Sequence, residues 1–231
     1  MNCPGKTEKI SVFSDKIGGK MPNTIVTNHP LIQHKLSILR DKYTQPKEFR
    51  ALVNELGTLL CYEATRDLPL VEKAIETPLM ATETKVLQQK IALVPILRAG
   101  LGMVDGIWNL IPTACVLHIG LYRDEDTLKP IEYYNKLGNY RTVEYCLILD
   151  PMLATGGSAI AVANILKEWG AKKIRFVGLI GAPEGINALH KAHPDIDIHL
   201  AAIDEKLNEH GYILPGLGDA GDRQFGTVDL M

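Results

Sequence analysis

The feature that most constrains the fold is a series of short apolar runs that begins near Lys90. The runs end at glycine-rich or charged turns and alternate with stretches of helical periodicity. They are apolar throughout rather than at every second position, and read IALVPIL, ACVLHIGLY, CLILD, IRFVGLI and IDIHLAAID. A strand without a polar face is buried on both sides, as in a parallel sheet that carries helices on each face. The sequence therefore predicts an α/β fold with a parallel sheet and flanking helices.

Two amphipathic helices are predicted before this region. Asn28 can cap the first, where Pro30 needs no hydrogen-bond partner, and the second opens around Pro46. Four apolar side chains of the first helix are spaced to share one face: Leu31, Ile32, Leu36 and Leu39. Trp108 and Trp169 fall on later helices, and we expect both to pack in the core.

Length and composition indicate one folded unit. The chain has 231 residues, of which 46% are hydrophobic, which is enough for a sizeable core. Residues 1–27 are polar, with paired glycines and no sustained period, and are interpreted as a loosely ordered extension. Residues 28–231 are predicted to form a single domain.

Charge and cysteine usage exclude several classes of protein. The net charge is −2 and the charges are mixed along the chain, so no basic face for nucleic acid or a membrane is expected. The four cysteines form no CxxC pair, and the histidines lack metal-ligand spacing, so we expect them at the surface or in packing roles. The cysteine pattern and the lack of a hydrophobic signal core favour a cytoplasmic protein, and the Cys and His spacing predicts no metal site of its own.

The stretch over residues 123–141 is polar and aromatic, RDEDTLKPIEYYNKLGNYR. It is interpreted as a projecting β-arm rather than a core element. Tyr133 and Tyr134 have two alternative roles: they can close over a bound base, or they can pack at an oligomer interface.

A single acid, Asp150, ends the run CLILD, and residues 151–158 lead directly into a helical stretch. In an open parallel sheet, ligands bind beyond the carboxyl ends of the strands. The TGGS residues at 155–158 would place backbone N–H groups at a helix start, where they and the helix dipole attract phosphate. The alternative is an ordinary strand-to-helix turn with a Ser or Thr cap. GxxxxGK[ST] is absent, and GxGxxG follows no strand.

Two arginines follow other predicted strands of the same sheet. Arg98 comes after IALVPIL and Arg123 after ACVLHIGLY. A planar guanidinium matches phosphate oxygens, although either arginine alone would more simply form a surface ion pair. Residues 212–222 contain too much Gly and Pro for a helix or central strand, and we expect a loop folded over the site.

These segments together resemble a known family. LDPMLATGGS resembles the 5-phosphoribosyl 1-diphosphate (PRPP) motif of type I phosphoribosyltransferases, in the form that uracil phosphoribosyltransferases use. PILRAGLGMVDG, HIGLYRDEDTLKPIEYYNKL and YILPGLGDAGDRQFGT are similar to the same family in order and spacing. The resemblance extends from about residue 28 to the C-terminus.

The resemblance implies transfer of a phosphoribosyl group from PRPP to uracil, giving UMP and diphosphate in pyrimidine salvage. It implies the type I phosphoribosyltransferase fold, with a C-terminal base-binding loop. The residues that it assigns to PRPP are Arg98, Arg123, Asp150, Pro151, Met152, Leu153, Ala154, Thr155, Gly156, Gly157, Ser158 and Asp219. Those that it assigns to uracil are Ile213, Gly218, Asp219 and Ala220, and the catalytic set is Arg98, Arg123 and Asp150.

The family also implies partners and a metal ion. Mg²⁺ would be bound mainly through PRPP, GTP activates some relatives, and a homodimer or higher homo-oligomer is expected. Many type I members carry acids at the positions of Pro151 and Ala154. Ala154 excludes a general base at that point, and a base for the uracil N–H is unassigned, with Asp219 as a candidate.

Two other functions fit the sequence less well. Transfer to a purine is disfavoured by Ala154 and by the backbone-reading loop, and orotate would need a further cation for its carboxylate. An RNA-binding regulator that retains the PRPP motif would need a basic face, which the balanced charge does not provide.

Overall fold

The computed structural model describes residues 24–123, 130–135, 137 and 143–227. The strands in chain order are β1 (Thr24–Val26), β2 (Leu70–Glu76), β3 (Ala81–Leu87), β4 (Lys90–Leu97), β5 (Cys115–Val116), β6 (Ile119–Arg123), β7 (Pro130–Asn135), β8 (Val143–Leu149), β9 (Met152–Leu153), β10 (Lys173–Gly181), β11 (Asp197–Ile203), β12 (Lys206–Leu207) and β13 (Ile213–Leu214). The helices are α1 (Pro30–Arg40), α2 (Pro46–Ala64), α3 (Val104–Leu110), α4 (Gly157–Trp169), α5 (Pro183–Ala192) and α6 (Ala220–Phe225), with a 3₁₀ helix at Ala99–Met103.

The main sheet has the strand order β1-β11-β10-β8-β4-β6-β7, with β5 beside β4 and β9 beside β10. Its strand pairs are parallel, except that β7 runs antiparallel to β6. β8, β4 and β6 are neighbours, so their carboxyl ends meet at one edge. The predicted α/β fold with a mainly parallel sheet is confirmed.

Alternate side chains of the central strands supply two hydrophobic cores. Ile91 and Leu93 of β4 lie in the core that α1, α2 and α3 cover. Ala92 and Val94 of the same strand lie in the core that α4 and α5 cover. Because successive side chains of a strand point to opposite faces, a strand between two helical layers must be apolar throughout, which explains the uninterrupted runs.

Several local expectations were wrong. The N-cap of α1 is His29, not Asn28, and its ring Nδ1 accepts a hydrogen bond from the Leu31 backbone N–H. Leu31 itself is exposed, and the buried face of α1 consists of Ile32, Leu36 and Leu39. Trp108 is 47% exposed at the surface of α3, whereas Trp169 packs partly buried against the α4 and α5 core.

An edge strand of the main sheet lies within the range predicted as the extension. Thr24–Val26 form β1, which pairs in parallel with β11. Sheet pairing therefore begins before residue 28, and residues 1–23 lie outside the described residues.

Two hairpins project from this body. β6 and β7 form the antiparallel base of the arm predicted over residues 123–141, and its tip lies outside the described residues. The sequence did not indicate the second hairpin, β2–β3, which pairs Leu70 with Leu87 and Glu76 with Ala81. All seven residues of β2 are exposed.

Candidate active site

Asp150 stands at the exit of β8, in the middle of the sheet. Its backbone N–H donates to the Val177 carbonyl at 3.3 Å, and its Oδ1 accepts from the Met152 backbone N–H at 3.3 Å. Pro151 is buried behind it, and β9 continues the chain along β10. These contacts fix the carboxylate at the carboxyl edge of the sheet, where the sequence predicted it.

The turn that follows is built around a left-handed glycine. Gly156 has φ +82°, and a Cβ on it would stand 2.8 Å from the Gly185 carbonyl oxygen, so a side chain is excluded on two grounds. Gly156 is also the N-cap of α4, and it has no side chain with which to cap the first amides of the helix. Those amides are thus placed to donate to an anion.

The predicted motif lines one pocket. Its volume is about 50 Å³, and its walls are Asp150, Met152, Leu153, Ala154, Thr155, Gly156, Gly157, Ser158 and Ala159. A carboxylate at one side and helix-start amides at the other suit a ligand that carries both hydroxyl groups and a phosphate.

Burial raises the pKa of Asp150 to about 7, with a further contribution from the negative charge of Asp219; the hydrogen bond from the Met152 amide opposes the rise. The Asp219 carboxylate is therefore close enough in space to act on Asp150, although the two acids lie far apart in sequence.

The two predicted arginines occupy the neighbouring strand exits. Arg98 directly follows β4, is exposed, and its Nη2 donates to Asp222 Oδ1 at 3.1 Å. Arg123 is the last residue of β6, and its side chain lies outside the description. Since β4 and β6 pair in parallel, both backbone positions stand at the same edge as Asp150.

The C-terminal loop reaches the same edge. A Cβ built on Gly221 would lie 3.8 Å from Arg98 Nη2, so the loop is next to Arg98. Gly216 and Gly218 have φ +66° and +76°, and Asp219 caps α6 by accepting from the Asp222 backbone N–H at 2.8 Å. Of the predicted uracil contacts, Ile213 and Ala220 are buried, whereas Gly218 is exposed.

Sequence reasoning missed the side chains that hold this loop. Both backbone polar groups of Gly216 are bound by one ion pair: its N–H donates to Asp204 Oδ2 at 2.9 Å, and its carbonyl accepts from Arg40 Nη1 at 2.7 Å. Arg40 in turn donates to both carboxylate oxygens of the buried Asp204, at 2.7 and 2.6 Å. Arg223 adds a hydrogen bond to the Leu217 carbonyl at 2.8 Å.

One signal could have identified Asp204. It directly follows β11, as Asp150 directly follows β8, and an acid at the end of an apolar run is unusual in both cases. Arg40 gives no such signal, because a basic residue in the last turn of a helix is ordinary.

A larger cavity of about 460 Å³ lies apart from the motif. It is lined by Trp108, Phe225 and His118 among others, and contains none of the predicted site residues. We place the site at the smaller pocket, because that pocket holds the carboxylate and the helix-start amides.

Within the described ranges, no group of three or more His, Cys, Asp or Glu side chains could hold a metal ion. None of the helices in those ranges has the length and apolar character of a transmembrane span.

Comparison with known proteins assigns this chain to one family. The family model described as uracil phosphoribosyltransferase matches residues 26–227. A curated protein of that name from Roseiflexus sp. (strain RS-1) is 62% identical over 207 residues, which are 90% of this chain and all of the relative. One from Geobacillus sp. (strain WCH70) is 61% identical over 208 residues, with the same coverage. A solved structure of an Aquifex aeolicus protein is 39% identical, with a TM-score of 0.82 over 87% of this chain and 97% of that one.

Proposed function

Because this chain belongs to the uracil phosphoribosyltransferase family, we propose that it transfers the 5-phosphoribosyl group of PRPP to uracil, giving UMP and diphosphate in pyrimidine salvage. The structural observation that carries this function is the pocket at residues 150–159, which joins a carboxylate to helix-start amides beside the C-terminal loop.

The helix start is assigned to the 5-phosphate. Thr155, Gly156, Gly157 and Ser158 line the pocket, and Gly156 allows the backbone to approach the phosphate closely. Pro151, Met152, Leu153 and Ala154 carry the chain between the carboxylate and this turn. Like charges repel, so Asp150 is assigned to the ribose hydroxyls rather than to the phosphate.

The reaction separates charge as the bond from the anomeric carbon to diphosphate breaks. Positive charge develops on the sugar and negative charge on the departing oxygens, so stabilising both is the main task of the site. Arg98 and Arg123 are assigned to the diphosphate, since their strands end at the same edge. Asp150, once ionised, faces the sugar with a charge opposite to the one that develops there.

The loop over residues 213–220 is assigned to uracil. Backbone N–H and C=O groups at Ile213, Gly218 and Ala220 would match the alternating donors and acceptors of the pyrimidine edge. An exocyclic amine in place of a carbonyl would set donor against donor and leave buried groups unpaired. Asp219 faces PRPP in this assignment, which agrees with its electrostatic coupling to Asp150.

Magnesium is proposed to arrive with PRPP and to neutralise the charge of the leaving diphosphate. Asp150 and Asp219 would be the acids that hold it, because their charges interact, and two carboxylates suit a metal ion that takes most of its ligands from the substrate.

A homodimer or higher oligomer is proposed from the β2–β3 hairpin. It exposes apolar side chains, namely Leu70, Val71, Ile75, Leu79, Met80 and Leu87. A two-stranded hairpin is marginal by itself in water, and a second copy would cover it. Activation by GTP rests on the family resemblance alone, and a cytoplasmic location rests on the cysteine pattern.

Turnover of PRPP with a panel of bases tests the function. Uracil should react, whereas adenine, hypoxanthine and cytosine should not. Turnover of a purine in place of uracil would overturn the assignment. An RNA gel-shift assay in parallel tests the regulatory alternative, which predicts a shifted band without turnover.

A further inference from the structure

The side chain of Gln224 joins the two substrate loops. It lies on α6 with none of its surface exposed. Its Nε2 donates to the Ala99 carbonyl at 3.0 Å and to the Ala220 carbonyl at 2.9 Å. Ala99 follows Arg98 in the segment called here the diphosphate-side loop, and Ala220 is the first residue of α6, directly after the uracil-side loop. The bond to Ala220 is therefore local to α6, and the bond to Ala99 is the one that ties α6 to a segment 125 positions away.

The two carbonyl partners fix the orientation of this amide. Both are acceptors, so only the NH₂ group can face them. The Oε1 atom on the other side has no hydrogen-bond partner in the described part of the chain. It lies against Gly102, on which a Cβ would be only 1.7 Å away. A buried oxygen without a partner is unfavourable. The amide therefore keeps this orientation because of the two hydrogen bonds that its NH₂ group donates.

Gln224 is also held through its backbone and through its contact with Gly102. Arg50 Nη1 donates to the Gln224 backbone carbonyl at 2.6 Å, which ties α6 to α2. Gly102 stands in the 3₁₀ helix that begins directly after Arg98. Gln224 therefore connects the helix that follows Asp219 with the segment that follows Arg98.

We propose that Gln224 is a positioning residue, which sets the spacing between the diphosphate-side loop and the uracil-side loop. The proposal rests on the proposed function, since it concerns the same site. Gln224 itself touches neither substrate and acts through the carbonyls of Ala99 and Ala220.

The first test is a comparison of Michaelis constants. Gln224→Ala removes both donors, and the isosteric Gln224→Glu turns a carboxylate oxygen toward two carbonyls. We expect each to raise KM for uracil and KM for PRPP together by roughly tenfold or more, as misplacement near 1 Å does. The matched control is Gln33→Ala, because the Gln33 amide donates to the Ala201 carbonyl at 3.2 Å, outside the site. It should leave both constants unchanged.

A merely structural role gives a different result. Loss of folded protein lowers the maximal rate per total protein and leaves both KM values as they were. That outcome, or a rise confined to one substrate, would overturn the proposal. If the parent enzyme does not turn over uracil at all, the proposed function fails instead, and the variants are not needed to show it.

The second test is a double-mutant cycle with Gly102→Ala, which pushes a methyl group into Gln224 Oε1 without touching the donors. This variant should raise both KM values as Gln224→Ala does. In the double variant the methyl group has no amide to displace, so the combined effect should not exceed that of the stronger single variant. Additive effects would show that Gly102 and Gln224 act separately, and would overturn the proposal.

Discussion

The turn over residues 150–158 and the loop over residues 212–222 meet at one sheet edge, but they are held in place differently. The turn is fixed locally, by the Asp150 contact to Met152 and by the left-handed Gly156. The loop is fixed from a distance, by Arg40 and Asp204.

This difference predicts how the turn and the loop each respond to substitution. A change within the turn alters the binding surface itself, because the same residues form the pocket and hold its shape. A change in a support of the loop leaves the loop's own sequence intact and alters only its position. We therefore expect substitutions in the turn to have large effects, mainly on the use of PRPP. Substitutions in the supports of the loop should have smaller effects, mainly on the binding of uracil.

Asp150→Asn should have the largest effect. It removes the negative charge that, in the proposed function, faces the developing positive charge on the sugar, and we expect kcat to fall by about 10²-fold or more. Steady-state kinetics check this. Asp195→Asn is the control, since its carboxylate pairs with Lys167 at the surface and should leave kcat unchanged. Unchanged activity in Asp150→Asn would remove Asp150 from the site.

Asp150→Asn should also be more stable than the parent protein, by an amount that depends on pH. Because the pKa of Asp150 is raised from 3.8 to about 7, the folded protein holds more protons than the unfolded chain between those values, so its stability falls as pH rises through that window. Asparagine does not titrate, so the Tm of Asp150→Asn minus that of the parent should grow from pH 4 to pH 7 and then level off. Thermal melts across this range check it, and a constant difference would contradict it.

The turn could be predicted from the sequence because its information is contiguous. Asp150 and the glycines lie within nine residues, directly between an apolar run and a helical stretch. Uninterrupted apolar runs likewise indicated the buried parallel sheet, since strands covered on both faces have no polar positions.

The loop supports could not be predicted, because their partners are far away in sequence. Arg40 and Asp204 are 164 positions apart, and no local pattern relates them. The β2–β3 hairpin was missed for a different reason: with β2 exposed on both faces, VEKAIE shows neither strict alternation nor an apolar run. The cap at His29 rather than Asn28 reflects the usual uncertainty of one residue at a helix end.

Gly156→Ala tests the turn against a matched position on the same helix. Gly156 and Gly170 flank α4, and both have positive φ, so alanine costs about 1–2 kcal/mol of backbone strain at each. Only at Gly156 would the Cβ also clash, with the Gly185 carbonyl oxygen, whereas Gly170 has nothing within 4 Å. We expect Gly156→Ala to raise KM for PRPP by roughly tenfold to a hundredfold, and Gly170→Ala to lower Tm alone. Equal kinetics for the two variants would contradict the role of the turn.

Asp204→Asn and Arg40→Lys test the supports of the loop. Asparagine loses the charge that binds Arg40, and lysine loses the planar fork that reaches both Asp204 and Gly216. Hydrogen bonds to charged groups contribute about 1.5–3 kcal/mol, so we expect KM for uracil to rise by about tenfold or more while KM for PRPP changes little. The control is Glu55→Gln, which breaks the exposed pair with Lys35. A parallel rise in both KM values would show that the loop and the turn are not held independently.

Asp222→Asn should have the smallest effect, and one of opposite sign. Asp222 binds Arg98 at 3.1 Å through an exposed ion pair. In the free enzyme it would therefore compete with the diphosphate that the proposed function assigns to Arg98. Exposed pairs contribute about 0–1 kcal/mol, which limits the gain to roughly fivefold, so KM for PRPP should fall by no more than that. Salt screens the pair, and the difference from the parent should shrink between low salt and about 1 M. KM for uracil should stay unchanged, because asparagine still accepts the hydrogen bond from Thr227 Oγ1. A higher KM for PRPP would instead mean that Asp222 orients Arg98 for the diphosphate, and the two halves of the site would then share a support at this residue.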